Sequence, residues 1–387
     1  MRWFGFGFNA FGQIYVHEKS SKGECSDAAQ EVKVSRPTEF TSQVERSDLK
    51  RDYQIRASWS RTASLHLHGD SCVFLAGFDS SESSGAPVKQ SRGCKDAIIS
   101  ETYLTLAFSD RLESWDLQKQ EKTPSWIMEI ETHSESFGPP VKLPLVPGGY
   151  IAMKPPLYRS LSPQLMAKSL ALSAEHAILL SASGAVYTWG LGSHGQLGHG
   201  DLTSEEAPRV VEALWGMPMS CIATGGWHSV CISDGGDLYV WGWNESGQLG
   251  LPSGGLRKAL QQQSSQHTGA PCQDASTSPT DKPLEGEKHE DVFISIQAFP
   301  ALMDITPSCE IKTVSCGSRH TAAVTTTGDL YTWGWGDYGQ LGHQTFISSD
   351  EPQCVEFFRE QQLHVVDVVC GAWNTFVAVV NEEVACS

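Results

Sequence analysis

No stretch of this 387-residue chain stays apolar for the ~18 residues that a membrane-crossing helix needs. No C-x-x-C pair occurs among its eleven cysteines. An odd, scattered set, with Cys221, Cys231 and Cys316 inside apolar runs, reads as free buried thiols in a reducing compartment. That pattern supports neither a disulfide framework nor a metal site. The aromatic start, Met1-Arg2-Trp3-Phe4-Gly5-Phe6-Gly7-Phe8, lacks the aliphatic stretch and small-residue cleavage site of a secretory leader. The sequon Asn244-Glu245-Ser246 therefore reads as chance, and the protein as not secreted.

Basic residues are also scarce. Lys and Arg number 28 against 45 Asp and Glu, a net charge of −17. The polar stretch 17–53 holds 7 basic and 8 acidic residues, and the Gln/Pro/Ser/Thr-rich stretch 251–291 holds 4 and 6. Most of the negative charge thus lies elsewhere, on segments with folding potential. Nucleic-acid affinity rests on neutralising phosphates with Lys and Arg, so direct binding to DNA or RNA is not expected. A basic protein surface, such as a histone, suits this charge better. The two polar stretches are too poor in apolar residues to order themselves, and both are expected to be disordered loops.

What the chain has in plenty is one repeated sentence. Gly225-Gly226-Trp227-His228-Ser229 is followed by Gly236-Asp237-Leu238-Tyr239-Val240-Trp241-Gly242 and Gly247-Gln248-Leu249-Gly250. The pattern returns around His320, Trp333-Gly334 and Gly339-Gln340-Leu341-Gly342. It also precedes, around His176, Trp189-Gly190 and Gly195-Gln196-Leu197-Gly198. Each copy reads as a β-hairpin, with β-formers on either side of a Gly/Asp turn. Radial repetition of such units gives a β-propeller. Weaker copies lie near 54–79 and 94–118, and Asn374 takes the His place in a last half-copy. The missing half stands at the other end, where Phe6-Gly7-Phe8-Asn9-Ala10-Phe11-Gly12-Gln13-Ile14 matches Trp241 to Leu249 position for position. The expected fold is therefore an all-β, closed propeller over 1–387. One blade is built from both termini, which leaves no open sheet edges at the seam. Six blades are countable, and 119–167 has room for a seventh.

Catalysis finds no support in these residues. His176, His228 and His320 occupy one slot in three blades, and a site needs one constellation, so they read as structural, like Trp189, Trp241 and Trp333. The Gly-Gln-Leu-Gly turns open no helix and carry no following Lys-Ser/Thr, so they are not phosphate loops. No enzyme activity, metal or cofactor is expected. The positions that refuse to repeat are better functional candidates. The residue before the His slot is Ser60, Glu101, Glu175, Trp227, Arg319 and Trp373 in turn. Blade symmetry puts all six on one face near the axis. Trp and Arg predominate at binding hot spots, which makes Trp227, Arg319 and Trp373 the first partner-binding candidates, with Glu175 as an acidic contact. His194, Glu245, Asp337 and Tyr338, in the turns before Gly-Gln, form a second set. The proline-rich stretch 142–161 reads as a linker between blades, or as an extended segment for a partner's cleft.

The sentence G-G-x-H-S/T … G-D-L-Y-x-W-G-x-x-x-x-G-Q-L-G resembles the repeat of the regulator-of-chromosome-condensation family. The copies at 168–198, 220–250 and 312–342 match it strongly, while only Trp115-Asp116 offers the ending of a WD repeat. The resemblance implies a nuclear protein, or one shared between nucleus and cytoplasm. It implies a non-enzymatic interaction scaffold in chromatin regulation, partnered by a JmjC-domain dioxygenase that demethylates or hydroxylates. If that partner hydroxylates arginine, Arg159 is the one arginine within 142–161 to be modified. The family's founding member is an exchange factor for the GTPase Ran. This gives the alternative, a guanine-nucleotide exchange factor for a Ran-like GTPase, although its exchange residues find no counterparts here.

Overall fold

The computed structural model describes residues 1–14, 31–40, 53–67, 69–78, 87–119, 123–130, 141–258, 292–305 and 309–381. They form seven antiparallel sheets, each one blade. Blade 1 is composite, in the order β2 (Lys33–Phe40), β1 (Arg2–Phe8), β26 (Asn374–Asn381), β25 (Leu363–Cys370). Blade 2 comprises β3 (Tyr53–Ala57), β4 (Arg61–His66) and β5 (Cys72–Gly77). Blade 3 comprises β6 (Asp96–Ile99), β7 (Tyr103–Ala107), β8 (Arg111–Asp116) and β9 (Trp126–Glu129). Blade 4 is short: β10 (Leu145–Val146), β11 (Gly149–Ile151) and β12 (Tyr158–Ser160). Blade 5 runs from β13 (Ala167–Leu172) through β14 (His176–Ser181) and β15 (Val186–Gly190) to β16 (Glu205–Val210). Blade 6 runs from β17 (Met219–Thr224) through β18 (His228–Ser233) and β19 (Leu238–Trp243) to β20 (Ile296–Met303). Blade 7 runs from β21 (Ile311–Cys316) through β22 (His320–Thr325) and β23 (Leu330–Gly334) to β24 (Ser349–Cys354).

The seventh blade lies in 119–167, where the sequence left room for one. The linker reading of 142–161 is therefore corrected. Leu145 pairs with Tyr150, and Tyr150 with Arg159. Pro144, Pro147, Pro155 and Pro156 stand outside the three strands, where a missing N–H breaks no ladder. That confinement keeps the strands short and hides the repeat. The loop reading of 17–53 fails over Lys33–Phe40. Val34, Pro37 and Phe40 turn inward there and β2 pairs along β1. The loop reading of 251–291 fails at its start. Ser253 is buried, its amide donating to Asp350 Oδ2 (2.7 Å) and its hydroxyl to the Glu245 carbonyl (2.9 Å). Residues 17–30, 41–52 and 259–291 of those two stretches lie outside the described residues.

The first strands of successive blades adjoin one another around the axis: β13, β17, β21, β25, β3 and β6. The second strands are the core. Every residue of β14, β18 and β22 is buried. One polar clamp recurs at three seams, welding blade 5 to 6, blade 6 to 7 and blade 7 to 1. His176 Nε2 lies 2.7 Å from Ser229 Oγ, His228 Nε2 2.9 Å from Thr321 Oγ1, and His320 Nε2 3.0 Å from Thr375 Oγ1. Each of those hydroxyls donates back to the preceding blade, to the carbonyls of Gln196, Gln248 and Gln340. The indoles of Trp241 and Trp333 donate to the Gln196 and Gln248 carbonyls as well (2.9 and 3.0 Å). Trp189 has no such glutamine behind it and reaches Tyr150 Oη in blade 4 (3.3 Å). These contacts give the repeated histidines and tryptophans a structural task in every blade that has them.

Candidate aromatic interface

The glycine of each Trp-Gly pair determines what stands on the propeller's face. Gly242 has a φ of +112°, and a Cβ there would sit 2.5 Å from the Trp227 carbonyl. Without it, the Trp243 amide donates to that carbonyl (2.9 Å), and the strand register shifts at this point. The residue after the glycine is thereby set opposite the residue before the His slot. The same bond joins Trp335 to Arg319 (2.8 Å), Phe8 to Trp373 (2.8 Å), Leu191 to Glu175 (2.9 Å) and Phe78 to Ser60 (3.0 Å). Each of these five blades so presents a pair of side chains on the loop side of its first and second strands. Gly242→Ala should cost at least about 1–3 kcal/mol in urea denaturation, the scale of strained backbone, before any clash relaxes. Gly235→Ala is the control: its added carbon meets nothing closer than 3.6 Å, and it should be close to neutral.

Members of these pairs in blades 6, 7, 1 and 2 join, with His194 of blade 5, into one arc. In blade 6, Trp227 packs edge-on against Trp243 with centroids 5.3 Å apart, and His194 of blade 5 touches both (5.8 and 5.6 Å). In blade 7, Trp335 meets Tyr338 (5.1 Å) and Trp373 of blade 1 (4.8 Å). Tyr338 continues to Phe8 (4.9 Å), Phe8 to Phe11 (5.8 Å), and Phe11 to Trp59 and Phe78 of blade 2 (5.6 and 5.5 Å). Three of the joints between blades are made by the residue before Gly-Gln: His194, Tyr338 and Phe11. In blade 6 that place holds Ser246, and Arg319 of blade 7 makes the joint instead. Its guanidinium carbon lies 4.8 Å from the Trp243 ring centre and 6.0 Å from that of Trp335. Lys33 of β2 overlies Tyr338 and Phe346 (5.3 and 5.5 Å). Trp227, Trp243, Trp335, Tyr338 and Trp373 are half-buried and Trp59 is 47% exposed, so the rings are supported from beneath and open above.

Trp227, Arg319, Trp373 and Tyr338 thus stand together, with His194. Asp337 is exposed beside Tyr338, its carboxylate accepting from Ser348 Oγ (3.3 Å). Glu175 is exposed on blade 5 and Glu245 half-buried on blade 6. Ser60 and Glu101 are taken out of the set. Glu101 accepts from the Trp59 amide and from Ser60 Oγ (2.6 Å), tying blade 3 to blade 2. Arg159 lies apart on β12, exposed. Sequence reasoning missed Trp243, Trp335, Phe8, Phe11 and Phe78. The signal was present: the residue after the Trp-Gly glycine is Leu191, Trp243, Trp335, Phe8 and Phe78, varied in the same manner as the slot it faces.

No group of three or more potential metal ligands occurs among the described residues, and no described helix is long and apolar enough to cross a membrane. The repeated histidines carry no acid–base poise. Burial lowers His176, His228 and His320 to about 3 each, so all three are neutral at physiological pH.

Comparison with known proteins adds three findings. The model of the regulator of chromosome condensation (RCC1) repeat matches residues 183–232 and 327–378, and a second model of that repeat matches 167–196, 220–248 and 311–340. The chain is 40% identical to human RCC1 domain-containing protein 1, over 98% of this chain and 97% of that one. It is 39% identical to the mouse protein of the same name, over 97% and 96%. The crystal structure of Prp20p from Saccharomyces cerevisiae superposes with a TM-score of 0.66 at 17% identity, over 98% of this chain and 91% of that one. That level of identity speaks for the fold. With a seven-bladed ring sewn shut by its two ends and relatives matching along nearly its whole length, the chain belongs to the RCC1-repeat family.

Proposed function

We propose that this protein is a non-enzymatic interaction scaffold in chromatin regulation, and that the aromatic arc is where its partner docks. The observation that carries this is the arc itself: half-buried tryptophans from three successive blades, rigidly backed and open to solvent on one side. Tryptophan and arginine in supported, partly desolvated settings are the residues that dominate binding energy. The partner we propose is a JmjC-domain dioxygenase of the kind the family resemblance implies. A location in the nucleus goes with it. Arg159, exposed on the short blade 4, is the arginine we propose for hydroxylation by that partner.

The test is affinity capture from nuclear extract with identification by mass spectrometry. Wild-type protein should retain a JmjC-domain dioxygenase. Trp227→Ala and Trp373→Ala should each reduce its retention about tenfold or more, on the hot-spot scale, with melting temperatures within a few degrees of wild type. Failure to retain any JmjC protein removes the partner assignment. If both variants melt much lower, the two indoles are core members and the face is misassigned.

A second reading has its own support. Prp20p, similar in fold, has binding properties toward Gsp1p and histones; together with the exchange activity that the family resemblance implies, this favours a GTPase exchange factor or a histone-binding propeller. Clear acceleration of GDP release from a Ran-type GTPase would replace the scaffold reading with this one.

A further inference from the structure

Five described arginines are not fully exposed: Arg56, Arg61, Arg111, Arg209 and Arg319. Four of them have oxygen acceptors. Arg56 pairs with Asp96 (3.2 Å), Arg111 with Glu113 (2.6 Å) and Arg209 with Glu205 (2.7 Å). Arg61 donates to the Phe78 and Glu101 carbonyls (3.1 and 2.9 Å). Arg319 has none. Its Nε is buried without a hydrogen-bond partner, and no carboxylate among the described residues lies within ion-pair distance of it. What holds it is the face of Trp243 and, farther off, that of Trp335.

This is an unusual state for a guanidinium. Leaving a buried donor unsatisfied is costly, and stacking over indole offsets part of that cost. The rings stabilise the charge through its π-faced side and leave its N–H fork unused. A planar fork of this kind, fixed in place before binding, matches the two oxygens of a carboxylate. The pairing between Arg319 and the Trp335 amide is through the Arg319 carbonyl, so the backbone is fixed while the guanidinium remains available.

From this we infer that Arg319 is the receptor for one acidic side chain, Asp or Glu, that a protein partner inserts between the indoles of blades 6 and 7. The inference rests on the arc being the docking face. Charge sets the class of ligand. Glu245 and Asp337 flank the joint in sequence and blade order, and the chain carries a net charge of −17. A dianionic phosphate or a polyanion meets that field with twice the repulsion or more, whereas one carboxylate exchanged for a lost Arg–water contact meets it once. The partner's surface should therefore be acidic at one central point and neutral or basic around it. This also reconciles an acidic propeller with a cationic centre.

A displayed library of random peptides, selected on the full-length protein, tests this directly. Retained peptides should share one Asp or Glu beside aromatic or basic residues. Exchanging that residue for Asn or Gln should weaken binding about tenfold or more, as expected for a hydrogen bond between charged groups. Arg319→Lys should keep part of the preference for acid over amide, and Arg319→Met should abolish it. The acid-to-amide exchange needs no change in the protein, so a folding defect in either variant does not obscure the result. Selection of no peptide, of peptides with no common acidic residue, or of phosphopeptides in preference to acidic ones when both are offered, overturns the inference. Trp227→Ala and Trp335→Ala separate the two levels. If they abolish binding while acid and amide peptides bind alike, the arc stands as the docking face and the carboxylate receptor falls. If neither the tryptophans nor Arg319 matter, both fall.

Discussion

A chain lacking residues 1–14 should fail to form a stable ring. Strand β1 is not an ornament on blade 1 but its third strand, hydrogen-bonded to β26 on one side and β2 on the other. Trp3, Phe4 and Phe6 on the strand, with Ile14 just beyond it, are all buried. They belong to one core cluster with Val377, Val379 and Phe358. Burying a large apolar side chain is worth about 1.5–3 kcal/mol, so these four alone represent roughly 6–12 kcal/mol. That is the size of a typical domain's entire stability, ~5–15 kcal/mol. The loss is also structural. Phe6 packs on Gly342 of blade 7, where an added Cβ would lie 2.8 Å from its ring, and the Trp3 indole donates to the Tyr53 carbonyl of blade 2 (3.0 Å). Both seams flanking blade 1 open at once, and β26 and β2 are left with bare edges, a template for aggregation. We expect insoluble protein, or a soluble form without a cooperative transition. A soluble deletion variant with a cooperative melt near that of wild type would show that the N-terminal strand does not close the ring.

The residues that failed to repeat were as informative as those that did. His228, Trp241, Gly242 and Gln248 act on the neighbouring blade through bonds that any blade can make, so their chemistry repeats and the sequence displays it. Blade 4 makes its ring contacts with short strands bounded by prolines: Val146 and Ile151 pack with Ala107 and Leu112 of blade 3, and Tyr150 meets Trp189 of blade 5. Nothing in its composition copies the sentence, so only packing reveals it. Strand β2 was obscured for a different reason. Its outer positions Lys33, Arg36 and Glu39 are charged because it is the outer strand of its blade, and charge of that kind reads locally as a loop. Half of the aromatic face was legible. Trp227, Arg319 and Trp373 stand out as variation inside a fixed sentence. Their opposite members, Trp243, Trp335 and Phe8, were masked because Trp-Gly-Trp looks like more of the motif. The cross-strand register that pairs them depends on a bulge, which residue spacing alone does not disclose.

Acid should unfold this propeller steeply, and the buried histidine clamps should account for much of the slope. His176, His228 and His320 titrate near 6.5 in an unfolded chain and at about 3 in the fold, burial being the leading cause in each. Between those values the unfolded state binds three protons that the folded state refuses. Stability therefore rises with pH across this window and falls on acidification, beginning as pH drops below about 6.5. One pH unit is worth about 1.4 kcal/mol per group. Three groups give a limiting slope near 4 kcal/mol per unit, and up to roughly 8 kcal/mol lost between pH 7 and 4.5. His66, lowered to about 4 by burial, acts in the same direction. Asp367, raised by burial, opposes it. The clamp explains why protonation is resisted. Each Nε2 already faces a hydroxyl of the next blade, and Nδ1 of His228 and His320 is buried with no acceptor for a second proton. Blade 1 supplies the control, since Asn374 fills the same slot without titrating. Urea denaturation at fixed pH from 7.5 to 4.5 should show the slope. His228→Asn, whatever it costs at neutral pH, should remove about a third of the clamp contribution to it. Parallel curves for variant and wild type, offset but equally steep, would mean that these imidazoles are not what acid attacks.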